Sequence, residues 1–158
     1  MKIGIGQDSH RFNSKRFNLK SKKPFVLGGV VIDCNKSLNA NSDGDVVLHA
    51  LANAISGITC VNILGEVADK MCASGIIDSS KYVKQALGHL TGQISNVSFS
   101  IECATPKISP HIPFMRSYIA DLLKINQDCV GITATSGEGL TPFGKAKGIQ
   151  VFCSILVD

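Results

Sequence analysis

The sequence predicts an α+β fold, on three observations. Strand patterns recur at residues 2–7, 97–101, 130–135 and 148–157, spread along the 158-residue chain. Amphipathic helical stretches lie between them. The last strand carries apolar residues on both faces, so it belongs at the centre of a sheet or in a subunit interface.

Each element has a local cause. Lys2-Ile3-Gly4-Ile5-Gly6 starts the first strand with no signal or transit peptide ahead of it, which predicts a cytoplasmic protein. A basic segment follows, with Arg11, Lys15, Arg16, Lys20, Lys22 and Lys23. It reads as solvated surface, not as a nucleic-acid site. Phe25-Val26-Leu27 and Val30-Val31-Ile32 flank Gly28-Gly29, a hairpin signal.

From Asp43 to Ser56, Val47, Leu48, Leu51, Ala54 and Ile55 share one helical side, while Asp45, His49, Asn53 and Ser56 share the other. Ser42 is the expected N-cap, with Asp45 completing a capping box. Residues 57–78 are punctuated by glycine and predict a short helix in a mobile loop. Ser79 or Ser80 caps a helix to about Leu90. Val97, Phe99 and Ile101 alternate with polar residues, as in a half-buried strand. Pro106 and Pro110 break the chain, and Pro113 sits in the first turn of a helix through Leu123. Val130–Thr135 and Gly148–Val157 are the last two strands.

The chain reads as one domain over residues 1–158. Apolar residues make up 44% and charged residues 18%, which excludes a disordered chain, and the net charge of +4 is modest. No apolar run is long enough to span a bilayer. The six cysteines, at 34, 60, 72, 103, 129 and 153, form no Cys-x-x-Cys pair. They read as reduced thiols, mostly small core residues.

Two segments carry chemistry. Asp8 and His10 are two apart on a strand, so their side chains leave the same face. His49 lies on the polar side of the helix. Two imidazoles and a carboxylate form a three-ligand set suited to zinc, with the fourth position open for a substrate. A structural zinc would normally have four protein ligands, so an open set implies chemistry or anion capture. Amides near Ser42, at the helix N-terminus, suit a phosphate.

Thr135-Ser136-Gly137-Glu138-Gly139 is either a plain turn or a phosphate loop in which Glu138 holds magnesium. Lys145 and Lys147 add positive charge downstream. Thr105-Pro106-Lys107-Ile108-Ser109-Pro110-His111 is a rigid loop that can frame a flat base. Gly4-x-Gly6 is too short to argue a dinucleotide fold. Together these parts suggest a polyphosphate substrate.

In order along the chain, Gly4-x-Gly6-x-Asp8-x-His10, Ser42-Asp43-Gly44-Asp45 with His49, Pro106-Lys107-x-x-Pro110-His111-Ile112-Pro113-x-Met115-Arg116 and Ala134-Thr135-x-x-Glu138 make a specific combination. Over essentially its whole length the chain resembles the 2-C-methyl-D-erythritol 2,4-cyclodiphosphate synthase family of non-mevalonate isoprenoid synthesis. The resemblance implies a two-layer sandwich with a mixed four-stranded sheet and helices on one face. The sheets of three subunits would pack together in a homotrimer, with active sites between subunits.

The implied reaction is attack of a 2-phosphate on the β-phosphorus of the same 4-diphosphocytidyl-2-C-methyl-D-erythritol 2-phosphate, releasing CMP. The resemblance places Zn2+, or another divalent transition metal, on Asp8, His10 and His49, and Mg2+ or Mn2+ on Glu138. It places transition-state stabilisation on Asn41 and Ser136. Substrate contacts fall on Ser42, Ile63, Gly65, Cys103, Ala104, Pro106, Lys107, Ile108, Ser109, Ala134, Thr135 and Lys145. The implied partners are this small cytidine diphosphate substrate and two further copies of the chain, with no nucleic acid and no membrane.

Three departures from the family pattern stand out. Asn41 replaces the usual His before Ser-Asp-Gly-Asp. Ile63 replaces the Asp that binds ribose, and Val67-Ala68-Asp69-Lys70 replaces a Phe-Pro loop. Asn53 replaces a helix Asp one turn after His49. Asn41 and Ile63 leave room for an alternative: a non-catalytic, zinc-dependent nucleotide- or phosphate-binding module that keeps the fold.

Overall fold

The structure, a computed structural model, describes residues 1–13 and 23–158. Lys15, Arg16, Lys20 and Lys22 of the basic segment lie outside the described residues. Four strands make the main sheet: β1 (Lys2–Arg11), β4 (Ile94–Glu102), β5 (Val130–Thr135) and β6 (Gly148–Val157). Their order is β1-β6-β4-β5. β6 runs antiparallel to both β1 and β4, while β4 and β5 are parallel, so the sheet is mixed as expected. β6 is a central strand.

The helices cover one face. α1 (Val46–Thr59) lies across β1 and β6, and α3 (Ser79–Leu87) packs on α1. α2 (Glu66–Ala73) is the short helix expected within residues 57–78. α4 (Ile112–Leu123) has Pro113 in its first turn and packs on β5. Between the layers, Ile149, Val151, Cys153, Ile155 and Val157 of β6 meet Leu48, Leu51 and Ile55 of α1, all nearly inaccessible to water.

The glycines of β1 set the distance between these layers. Gly4, Gly6, Asp8 and His10 share the face beneath α1. A Cβ at Gly6 would collide with the backbone of Ala50 and Ala54, and one at Gly4 with Ala54 O. The Gly4-x-Gly6 pair therefore lets a helix backbone lie directly on a strand, which brings His49 over Asp8 and His10.

The hairpin of β2 (Phe25–Leu27) and β3 (Val30–Ile32) forms as expected. Gly28 and Gly29 both have positive φ, 56° and 77°, as a tight two-residue turn requires. Their N–H groups donate to Asp45 Oδ1 and Oδ2 at 2.8 and 2.7 Å. Asp45 Oδ1 also accepts Leu48 N–H at 3.1 Å. The fully buried Asp45 thus caps α1 and ties the hairpin to it.

Three sequence expectations need correction: the caps of α1 and α3 and the burial of the cysteines. The N-cap of α1 is Asp45, not Ser42, because Gly44 (φ 75°) turns the chain and delays the helix. The polar side of α1 is largely enclosed: Asp45, His49 and Ser56 are buried, since that side faces the hairpin, β1 and α3. Asp78 caps α3 through Ser80 N–H, which frees the Ser79 hydroxyl for other partners. The cysteines are free thiols, but only Cys103 and Cys153 are buried; Cys34, Cys72 and Cys129 are half-buried and Cys60 is exposed.

Candidate metal centre

Asp8 and His10 project from β1, and His49 comes down from α1. Three atoms face one point: Asp8 Oδ2, His10 Nε2 and His49 Nδ1. Their separations are 2.9 Å (Asp8 to His49), 3.3 Å (His10 to His49) and 3.5 Å (Asp8 to His10). Zinc binds such atoms at about 2.0–2.1 Å, which gives a tetrahedral edge of about 3.3 Å. The triangle therefore already has the size of one face of a zinc tetrahedron. Among the described residues, no other group of His, Cys, Asp and Glu side chains converges in this way.

The electrostatics agree with a ligand role. Burial holds His10 below its ordinary pKa, against the opposing pull of the Asp8 carboxylate. The neutral imidazole, the form that ligates a metal, is thereby favoured. The opposite nitrogen of His49, Nε2, lies 2.9 Å from Ser79 Oγ and 3.5 Å from Ser42 Oγ.

The triad opens into a cavity of about 230 Å³ lined also by Asn41, Ser42, Leu64, Gly65, Ala68, Asp69, Cys72 and Tyr82. Of the residues expected at the site, Asp8, His10, Asn41, Ser42, His49 and Gly65 meet here. Ile63 does not: it is 1% exposed and belongs to the core, so its side chain has no access to a ligand. Its neighbours Leu64 and Gly65 take the cavity wall instead. Sequence reasoning missed Leu64, Ala68, Cys72 and Tyr82 as wall residues. They lie on α2, α3 and the turn before α2, and no spacing signal links them to the triad.

The remaining expected residues form a second group. Cys103 N–H donates to Thr135 O at 3.0 Å and Ala104 N–H to Phe143 O at 3.3 Å. The 103–109 and 134–147 segments therefore lie side by side past the ends of β4 and β5. Ser109 begins a single 3-10 turn that leads into α4. Pro106, Lys107, Ala134, Thr135, Ser136, Glu138 and Lys145 offer accessible surface there, whereas Cys103 and Ile108 are buried. None of this group lines the triad cavity. Within one chain, Asn41 and Ser136 are not brought to a common cavity.

An α+β sheet carrying an open N,N,O triad at a strand–helix contact defines a metal-dependent catalytic domain, not a closed structural zinc site. The chain belongs to the YgbB family, whose model it matches over residues 1–158. It is 48% identical over 159 residues to the 2-C-methyl-D-erythritol 2,4-cyclodiphosphate synthase of Chlamydia muridarum, covering 99% of this chain and 87% of that protein. The bifunctional IspDF from Campylobacter jejuni superimposes with a TM-score of 0.83 at 29% identity, covering 97% of this chain and 41% of that longer one. The CDP complex of IspF from Plasmodium falciparum gives a TM-score of 0.77 at 27% identity, covering 97% and 92% of the two chains.

Proposed function

We propose that this chain converts 4-diphosphocytidyl-2-C-methyl-D-erythritol 2-phosphate into 2-C-methyl-D-erythritol 2,4-cyclodiphosphate with release of CMP. The observation that carries the reading is the triangle of Asp8 Oδ2, His10 Nε2 and His49 Nδ1, with edges of 2.9–3.5 Å, on the wall of a cavity. The relatives bear the name of this synthase, which supports turnover over a non-catalytic binding module.

The reaction needs no nucleophilic side chain. An oxygen of the substrate's 2-phosphate attacks the β-phosphorus, and the bond from that phosphorus to the bridging oxygen breaks, leaving CMP. The protein must fold the substrate for in-line attack and meet the charge that builds on the transferring group. Asp8, His10 and His49 would hold a divalent metal, with zinc favoured by the chemistry of the donor set, and the cation would supply Lewis-acid neutralisation of phosphate charge. Asn41, Ser42 and backbone N–H groups beside them offer hydrogen bonds to phosphate oxygens.

The cavity by itself is small for this substrate, since sites for ligands of such size run to about 300–1,000 Å³. The second group completes it from a neighbouring subunit: Cys103 to Ser109 and Ala134 to Ser136 around the cytidine, Glu138 on Mg2+ or Mn2+, and Lys145 nearby. A homotrimer accounts for this arrangement. Its support in this chain is the sheet face away from α1, where Ile3, Ile5 and Phe152 are 72%, 71% and 49% exposed. Apolar side chains clustered on an uncovered sheet face mark an association surface. The same reading takes residues 1–158 as one synthase domain acting in the cytoplasm. Among the described residues, no helix is long and apolar enough to cross a membrane.

The test is incubation of the purified protein with substrate, zinc and magnesium, followed by chromatography. Catalytic release of CMP is expected. Tight binding of the substrate without CMP release would overturn the reading.

A further inference from the structure

We propose that Ser79 and Asp43 form a positioning pair that fixes the ring orientation and tautomer of His49 as a metal ligand; this rests on the reading of His49 as a ligand through Nδ1. A ligating nitrogen carries no proton, so a neutral His49 bound through Nδ1 must carry its hydrogen on Nε2. That N–H has one near acceptor, Ser79 Oγ at 2.9 Å. Ser42 Oγ is at 3.5 Å and already accepts Gly44 N–H at 3.2 Å. Ser79 Oγ in turn donates to Asp43 Oδ1. The second oxygen of Asp43 accepts Ser79 N–H at 2.9 Å. The carboxylate therefore grips Ser79 twice and fixes the hydroxyl's direction: its hydrogen goes to Asp43 and its lone pair faces His49.

This arrangement cannot be dismissed as helix capping. Ser79 opens α3, but Asp78 is the cap, so the helix does not require the Ser79 hydroxyl. Ser79 is fully buried, and its hydroxyl bonds only to Asp43 and His49 among the described residues. Asp43 is itself anchored, since its N–H donates to Ile77 O at 2.9 Å. Tyr82, one turn further along α3, places its ring 6.1 Å from the His49 ring and closes that side. The chain from carboxylate through hydroxyl and imidazole to the metal point joins residues from three separate parts of the sequence. It does for His49 what a direct carboxylate partner does for other metal-bound histidines.

The experiment measures zinc affinity of the full-length protein by competition with a chromophoric chelator, for wild type, Ser79→Ala, Asp43→Asn, the double variant, Ser80→Ala and His49→Ala. Ser80 is the buried serine beside Ser79 that does not touch the triad, so its variant reports damage to local packing alone. Ser79→Ala and Asp43→Asn are each expected to weaken zinc binding about 10–100-fold. The double variant should lose little more than Ser79→Ala, because both act through one ring. Ser80→Ala should stay within about threefold of wild type. In the cobalt-loaded protein, proton NMR should show an exchange-protected imidazole N–H that vanishes in His49→Ala and exchanges rapidly in Ser79→Ala. Circular dichroism checks folding, and Asp43→Asn carries the test if Ser79→Ala does not fold. Zinc affinity within threefold of wild type in both single variants, or an equal loss in Ser80→Ala, would overturn the pair's role while leaving the metal site standing. Full zinc affinity in His49→Ala would instead overturn the ligand assignment.

Discussion

Asp45 shows how much can rest on one side chain. Its carboxylate accepts N–H groups from Gly28, Gly29 and Leu48 in a site with no water access. Asp45→Ala leaves three N–H groups without an acceptor and lets the hairpin part from α1. Unsatisfied buried groups cost about 1–3 kcal/mol each, with partial relaxation, so a net loss of about 3 kcal/mol is expected. For a chain of this size that lowers the thermal midpoint by about 10 °C, readable by calorimetry. Ile63 leads to a second residue-level expectation. Buried and without an acceptor, it cannot grip ribose, so CMP and its 2′-deoxy analogue should bind the zinc-loaded protein with similar affinity. A tenfold preference for the ribonucleotide in parallel titrations, about 1.4 kcal/mol, would mean that Asp69 or Asn62 makes the contact instead.

At the scale of elements, the contact of α1 with β1 is decisive, because it makes the metal triangle. Gly6→Ala places a methyl group against the backbone of Ala50 and Ala54, which cannot rotate away. Overpacking of this kind costs about 1–3 kcal/mol, and here the strain also moves His49 relative to Asp8 and His10. Zinc affinity should fall together with stability, whereas a variant on the opposite face of β1, such as Gln7→Ala, should leave zinc binding unchanged. Much of this was legible in the sequence. Period-two spacing put Asp8 and His10 on one face, and helical spacing put His49 away from the main apolar stripe. The bounds of β5 and β6 also match, since Val130, Ile132 and Thr133 in one and the alternating Ile149, Val151, Cys153, Ile155 and Val157 in the other mark strands. The start of α1 was not legible, because no local spacing shows that Gly44 takes a positive φ of 75° and turns the chain ahead of the helix. Nor was the role of Ser79: adjacent Asp and Ser both suit a helix cap, and only the fold reveals which one is free.

For the whole molecule, the triad cavity and the 103–109 and 134–147 segments remain apart within one chain, although the proposed reaction would use both. Local spacing pointed to the triad, whereas the 103–109 and 134–136 contacts came from the family resemblance, and neither gives the distance between the two groups. The exposed apolar face around Ile3, Ile5 and Phe152 offers the contact that would unite them. Subunit complementation tests this most directly. His49→Ala and Glu138→Ala variants, each lacking activity alone, are co-expressed with different tags, and CMP release is measured on the doubly tagged trimers. If each site takes its triad from one subunit and its nucleotide loops from the next, every mixed trimer keeps one intact site of its three, and activity returns to about a third of the wild-type level. Mixed trimers that remain as inactive as either parent would contradict a site shared between subunits.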